Sequence, residues 1–120
     1  MSERELIERY DQAWNDHDVD AIVSMHAPDM VFENHTAGER AEGDEVGPHI
    51  AEIFRNWPDL SFRSRRLYVR DGLAVSEWTA TGTKEGTRLE WDGIDVFPIE
   101  DGKIKRKDVY SAFSAARQVS

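Results

Sequence analysis

Apolar residues in the first half of the chain recur with the three-to-four spacing of amphipathic helices. The pattern predicts a helix over residues 2–15, a short second helix after the potential cap Asp18, and a third helix from Asp44 or Glu45 until Pro58. The residues expected to face inward from these helices are Leu6, Ile7, Tyr10, Ala13, Trp14, Ala21, Ile22, Met25, His26, Val46, Ile50, Ile53, Phe54 and Trp57.

The second half of the chain has no helical period and alternates in the manner of strands. Before it, between the second and third helices, the alternation from Met30 to His35 predicts a further short strand, and residues 36–43 predict a polar loop. Turn signals of the Asp-Gly and Glu-Gly type join consecutive strands into hairpins, with strands expected over residues 60–70, 73–84, 88–99 and 103–113. Together the elements predict one α+β domain over residues 1–120, with three N-terminal helices packed on a strongly curved antiparallel sheet that forms a cone with an internal pocket.

One ionisable residue interrupts the apolar face of a predicted strand. Period two places Asp95 on the same face as Trp91 and Phe97. A carboxyl group on a buried face is paired, hydrogen-bonded or kept neutral by a raised pKa. Asp95 is therefore either a structural carboxylate, for which Lys107 on the adjacent strand is a possible partner, or a functional acid.

Composition and charge exclude several classes of function. The net charge of -9 argues against nucleic acid or an anionic membrane as a partner, and the basic run from Lys103 to Lys107 is expected on a solvated strand face. The absence of cysteine excludes disulfides, thiolate metal sites and cysteine nucleophiles. No motif for a metal, a phosphate or a nucleotide is present, so no metal or cofactor is expected.

The sequence predicts a cytoplasmic protein, because its start lacks the character of a signal peptide and the chain has no long apolar run.

Several segments carry a family resemblance: Arg9-Tyr10, residues 18–32, residues 57–60, residues 78–82, residues 93–97 and residues 101–104. In these segments the chain resembles the nuclear-transport-factor-2-like superfamily, specifically its SnoaL-like and ketosteroid-isomerase-like branch. The resemblance covers almost the whole chain and implies the cone fold described above. It also implies a homodimer through the convex face of the sheet.

The resemblance can be carried to individual residues. Similarity to ketosteroid isomerases implies that Tyr10 and a protonated Asp95 donate hydrogen bonds to an oxyanion. The position of the isomerases' general base is Asn34 here, and an amide cannot accept and return a proton near neutral pH. His35 has a suitable ordinary pKa, although alternation points it away from the pocket, and Glu33 is a further candidate base.

The family's layout also implies an apolar wall for a small apolar or aromatic ligand, with ordinary core packing as the alternative. Ala80, Gly82 and Gly93 on inward faces are expected to leave room for that ligand. We therefore expect a cofactor-free enzyme that acts by proton transfer on a small apolar carbonyl compound, of the isomerase, cyclase or lyase type. The alternative is a non-catalytic small-molecule binding protein that lacks the base. The wall residues are Trp14, His26, Phe32, Phe54, Trp57, Trp78, Trp91 and Phe97, of which His26 is alternatively a core histidine bonded to Tyr10.

Overall fold

The three predicted helices are present in the computed structural model, which describes residues 1–119. They are α1 (Glu3–Asn15), α2 (Val19–Ser24) and α3 (Val46–Asn56), and a 3-10 turn over Gly43–Glu45 leads into α3. The helix starts follow the sequence signals, because Ser2 and Asp18 accept hydrogen bonds from the first-turn backbone of α1 and α2. Within residues 1–119, no helix has both the length and the apolar character needed to cross a bilayer.

Seven strands form one curved, unclosed sheet. They are β1 (His26–Asn34), β2 (Glu39–Glu42), β3 (Ser61–Arg70), β4 (Leu73–Lys84), β5 (Thr87–Glu100), β6 (Lys103–Ser111) and β7 (Arg117–Gln118). Their order is β2-β1-β6-β5-β4-β3, and β7 pairs with β5. All pairs are antiparallel except β1 with β6, which is parallel. The predicted α+β cone, with helices packed on a curved sheet, is confirmed.

Three local predictions are wrong. His26 does not belong to α2; it begins β1, where it pairs with Ile104 of β6. The predicted loop contains β2, an edge strand in which Ala41 alone is buried, so its sequence carries no apolar alternation. The last long strand ends at Ser111, and a 3-10 turn over Phe113–Ala115 then leads into β7.

The core lies between the helices and the concave face of the sheet. Helix α1 packs across β3 and β4 and contributes the fully buried Ile7 and Tyr10. Ile50 of α3 and Phe97 of β5 are equally buried in the same cluster. The opposite, outer face of the sheet exposes several large apolar side chains, and the homodimer expected through this face stays a prediction. These side chains are Tyr68, Ile94 and Tyr110.

Two glycines in the sheet support tryptophan rings. Gly93 of β5 is paired across the strands with Trp78 of β4, and a side chain at Gly93 would overlap the Trp78 ring. A Cβ atom at Gly82 would lie 2.7 Å from Cε3 of Trp57. The space above these glycines is therefore filled by indole rings. The expectation that Gly82 and Gly93 leave this space to a ligand is wrong, because each glycine instead determines where a tryptophan can lie.

Substitution of Gly93 tests this packing. Gly93→Ala should lower the free energy of unfolding by about 1–3 kcal/mol, because the added methyl group displaces the Trp78 ring. Urea unfolding followed by circular dichroism measures the change. Gly47→Ala in α3 is the matched control, since its Cβ would meet Val23 at an ordinary 3.5 Å. The control should be neutral or stabilising by up to about 1 kcal/mol, and equal losses in both variants would contradict the packing argument.

Candidate functional site

A cavity of about 480 Å³ lies between the helices and the concave face of the sheet. This volume is in the range of sites for small molecules. The wall is mainly aromatic, and the polar side chains that line it include Asn34 of β1, Asp95 of β5 and Lys107 of β6. The aromatic residues that line it are Trp14, Phe32, Trp57, Phe62, Trp78, Trp91 and Phe113.

Lys107 and Asp95 form an ion pair at this cavity. The distance from Lys107 Nζ to Asp95 Oδ2 is 2.9 Å, and the two side chains are 8% and 7% exposed. The pair joins two adjacent strands from their shared inner face, since Asp95 lies beside Val109, two residues beyond Lys107 on β6. The partner considered for Asp95 from the sequence is therefore present, whereas the expectation that the basic run is solvated is wrong at Lys107.

Aromatic rings surround the Lys107 ammonium group. Its Nζ lies 4.6 Å from the ring centre of Trp14, 5.0 Å from Phe97, 5.2 Å from Tyr10 and 5.7 Å from Phe32. A cation loses its hydration when it is buried, and the negative faces of aromatic rings return part of that free energy. The site therefore holds a buried ion pair in an apolar environment, where water screens the field of the two charges on a bound ligand only weakly.

Three buried polar atoms of the cavity residues have no hydrogen-bond partner among residues 1–119. They are Oδ1 of Asp95 and Nε1 of both Trp14 and Trp78. Such atoms cost free energy unless another molecule satisfies them. The carboxylate oxygen can accept a hydrogen bond or a proton, and the two indole N–H groups can donate. The site can therefore recognise a ligand that carries acceptors close to an acidic or donor group.

Tyr10 and His26 form a separate buried contact. The Tyr10 hydroxyl lies 2.8 Å from His26 Nε2, so the bond expected between these residues is present. Burial raises the pKa of Tyr10 well above its ordinary value. Burial, assisted by the Lys107 cation, lowers the pKa of His26 to about 4, which keeps the imidazole neutral near neutral pH. Neither residue lines the cavity. Tyr10 and Asp95 were expected to converge on one oxyanion, and the structure does not show this arrangement. The Tyr10 hydroxyl faces His26, whereas Asp95 is bonded to Lys107.

Asn34 lies at the cavity, in line with Asp95. Both residues are paired with Val109 of β6, one from each side, which places the three positions abreast on neighbouring strands. Asn34 Oδ1 accepts hydrogen bonds from the backbone N–H groups of Thr36 and Ala37, at 3.1 and 3.0 Å. Its carbonyl oxygen therefore holds the turn after β1, and its amide N–H₂ group is left to face a ligand.

His35 and Glu33 lie on the outer face of the sheet and do not line the cavity. His35 Nε2 is 2.9 Å from Asp108 Oδ1, and its ring stacks on Tyr110. Ligating atoms of Glu33, His35 and Asp108 lie within 4.8 Å of one another, as a metal would require. The Arg106 guanidinium, however, donates hydrogen bonds to the carboxylates of both Glu33 and Asp108. The bond from Arg106 to Asp108 lowers the pKa of Asp108 more than the bond from His35 does. The expectation that His35 or Glu33 acts on the ligand is therefore not supported by their placement.

Asp11 is a further polar residue beside the ion pair that was not predicted from the sequence. This half-buried residue of α1 lines a second, smaller space of about 20 Å³, together with Ser64 and the Lys107–Asp95 pair. Burial raises the pKa of Asp11 to about 7, opposed by Lys107 and reinforced by Asp95. The helical spacing contained the signal, because Asp11 lies three residues before Trp14, at the edge of the inward face of α1.

The predicted wall residues divide into two groups. Phe54 packs against the rings of Trp14 and His17, and Phe97 lies edge-on to Tyr10, so both belong to the core beside the cavity, as does His26. Phe113, which was not predicted, contacts Trp57 and Trp91 from the C-terminal segment. Those of the predicted residues that do line the cavity are Trp14, Phe32, Trp57, Trp78 and Trp91.

The ion pair makes a prediction for stability. Lys107→Met leaves the Asp95 carboxylate buried without its partner and should lower the free energy of unfolding by about 3–5 kcal/mol in urea at neutral pH. Adding Asp95→Leu should recover most of this loss, because no unpaired charge then remains. Lys105→Met is the control, since Lys105 pairs with the exposed Asp29 and should change stability by less than about 1 kcal/mol. A double variant as unstable as the single one would contradict this explanation.

Comparison with known proteins agrees with this architecture. A family model described as a SnoaL-like domain matches residues 7–107. No curated protein matches the sequence. The solved structure of a putative SnoaL-like polyketide cyclase from Jannaschia sp. CCS1 is 17% identical, with a TM-score of 0.83, and the match covers 92% of this chain and 85% of the cyclase. TerC co-crystallized with polyporic acid is 19% identical, with a TM-score of 0.83 and 92% of each chain covered. The epoxide hydrolase/cyclase-like enzyme SalBIII is 20% identical, with a TM-score of 0.85, and 97% of this chain and 95% of SalBIII are covered. The chain therefore belongs to the SnoaL-like family and has the nuclear-transport-factor-2-like cone fold.

Proposed function

We propose that the protein is a cofactor-free enzyme that acts by proton transfer on a small apolar carbonyl compound, in the isomerase, cyclase or lyase class. The observation that carries this proposal is the buried Lys107–Asp95 pair at an aromatic cavity of about 480 Å³. An apolar cavity excludes water, and a fixed cation within it stabilises negative charge that develops on a ligand. A carboxylate beside that cation supplies the base.

The arrangement assigns the steps as follows. Asp95 Oδ1, which has no partner among residues 1–119, takes a proton from the carbon next to the ligand's carbonyl group. The electrons of the broken C–H bond form an enolate, and the Lys107 ammonium holds its oxygen. Asp95 then returns the proton to another carbon. Alternatively, the enolate carbon attacks a second carbonyl carbon of the same ligand and closes a ring; the C=O π bond there breaks, and Asp95 gives its proton to the alkoxide oxygen that forms. Asn34 can orient the carbonyl group through its free amide N–H₂.

This mechanism differs from the one that the resemblance to ketosteroid isomerases implies. Asp95 acts as the base instead of as a neutral donor, and Lys107 replaces Tyr10 as the group that stabilises the oxyanion. The structural reason is the ion pair, because Lys107 Nζ donates to Asp95 Oδ2 at 2.9 Å, so this carboxyl oxygen accepts a hydrogen bond and does not donate one. The names of similar structures, a polyketide cyclase and an epoxide hydrolase/cyclase-like enzyme, support this class of reaction by analogy of fold.

Replacement of the base tests the proposal. A nitrobenzisoxazole is a suitable probe, because removal of its ring proton releases a coloured nitrophenolate. Asp95→Asn should lower kcat for this reaction by about 100-fold or more, since a positioned base contributes at least that much. Tyr10→Phe should change kcat by less than about threefold, because its hydroxyl faces His26.

Asp92→Asn is the matched control for Asp95→Asn. Asp92 lies on the same strand, and its bonds to Thr79 and Arg117 are outside the cavity. It should retain turnover close to that of the unmodified protein. Circular dichroism establishes that each variant is folded, and undiminished turnover in folded Asp95→Asn would exclude Asp95 as the base.

A non-catalytic small-molecule binding protein is the second candidate function. One observation favours it: the side-chain oxygen of Asn34 is already bonded to the turn that follows β1. The resemblance to ketosteroid isomerases implies that Asn34 stands at the position of their base. In this case the unmodified protein binds a planar carbonyl ligand, which quenches tryptophan fluorescence, without turning it over.

Asn34→Asp separates the two candidates. An aspartate can keep both backbone hydrogen bonds with one oxygen and present the other oxygen to the ligand. If the unmodified protein lacks a working base, this variant should raise turnover of the nitrobenzisoxazole by about tenfold or more. An unmodified protein that is already active and gains nothing from Asn34→Asp would support Asp95 as the base and argue against the binding protein.

A further inference from the structure

The Lys107–Asp95 pair borders a second space that the proposed reaction does not use. This space of about 20 Å³ lies beneath α1 and is large enough for one water molecule. Four polar side chains reach it, which are enough hydrogen-bonding groups to hold that water: Asp11, Ser64, Asp95 and Lys107. Its remaining lining is aromatic and consists of Trp14, Phe62 and Trp78.

Asp95 belongs to both spaces, whereas Asp11 borders the smaller one alone. The Asp95 side chain is 7% exposed, whereas Asp11 is half-buried, so part of Asp11 contacts solvent. A ligand that fills the main cavity covers Asp95 from that side. A proton taken up by Asp95 would then have no exit through the main cavity, and the small space connects it to a carboxylate that reaches solvent.

We propose that this space, with Asp11, is a proton port through which Asp95 exchanges protons with solvent while a ligand fills the main cavity. The inference rests on the proposed function. Asp95 gives its proton to the water in the small space, which passes one of its own protons to the Asp11 carboxylate. Asp11 then releases that proton to solvent, and both carboxylates return to their charged forms. With the proposed carbonyl ligand, the same path run in reverse supplies a solvent proton to Asp95, which returns it to the ligand. With a ligand whose anion leaves unprotonated, one proton moves from ligand to solvent.

The electrostatics of Asp11 suit this role. Burial raises the pKa of Asp11 to about 7. Near neutral pH, neither protonation nor deprotonation of this carboxyl group therefore requires much free energy. The charged groups that act on it are Lys107 on β6, which favours its charged form, and Asp95 on β5 and Glu8 on α1, which oppose it.

Stopped-flow turnover of the nitrobenzisoxazole tests the port. The unmodified protein should show a single steady rate. Asp11→Asn should form about one equivalent of bound nitrophenolate per site in a first, fast phase, followed by a steady rate at least about tenfold lower, because the proton on Asp95 leaves slowly while the product still fills the cavity. Formate added to the buffer should restore the steady rate by carrying protons in place of Asp11. The ratio kcat/KM should stay unchanged in this variant, because the slow step follows the removal of the ring proton. Asp16→Asn, at the C-cap of the same helix, is the control, since Asp16 bonds the exposed Gln12, and it should behave like the unmodified protein.

A second readout needs no turnover. Trp14 and Trp78 border the small space, so tryptophan fluorescence of the ligand-free protein should titrate near pH 7, and Asp11→Asn should abolish this transition. A steady rate in Asp11→Asn equal to that of the unmodified protein, or a titration that survives in this variant, would overturn the port. An inactive unmodified protein would instead overturn the proposed function, and the titration would still decide whether Asp11 exchanges protons beside Asp95.

Discussion

The burial of two opposite charges constrains the rest of this structure. Lys107 and Asp95 are each almost fully removed from water, and removal of a single charge from water costs several kcal/mol. Their contact, and the aromatic rings around the ammonium group, offset that cost. The rings of Trp14 and Phe32 serve two purposes, because they also form the wall of the cavity. The stability of the charge pair and the shape of the binding space therefore depend on the same side chains.

The fold was largely predictable from local patterns. Helical spacing and the capping residues Ser2 and Asp18 located α1 and α2, and the Asp-Gly and Glu-Gly turns located the hairpins between β3 and β6. These signals are local, because each depends on residues a few positions apart. The short β2 and β7 were missed because most of their side chains are exposed, so neither shows an apolar alternation. In addition, β7 is held by pairing with β5, which is not its neighbour in the chain.

The site was predictable in part. Alternation along β5 placed Asp95 on an apolar face, and the family resemblance identified Asn34 as a further site residue. In the structure, Asn34 and Asp95 flank Val109 of β6. Period two alone does not predict the burial of Lys107. Ile104 and Lys107 are both buried although they are three residues apart, because the register between β5 and β6 shifts between Val96 and Ile99. An irregularity of this kind reverses which side chains of a strand face inward.

The parallel pairing of β1 with β6 has a kinetic consequence. Contacts across this pair join residues such as Glu33 and Arg106, which are 73 positions apart in the chain. Contacts of such long range close large loops and slow the folding of a domain. Asn34 and Lys107 belong to these two strands, so they meet at the cavity when the ends of the sheet come together. The hairpins between β3 and β6 can form from local contacts, but the polar groups of the cavity assemble as a set only when folding is nearly complete.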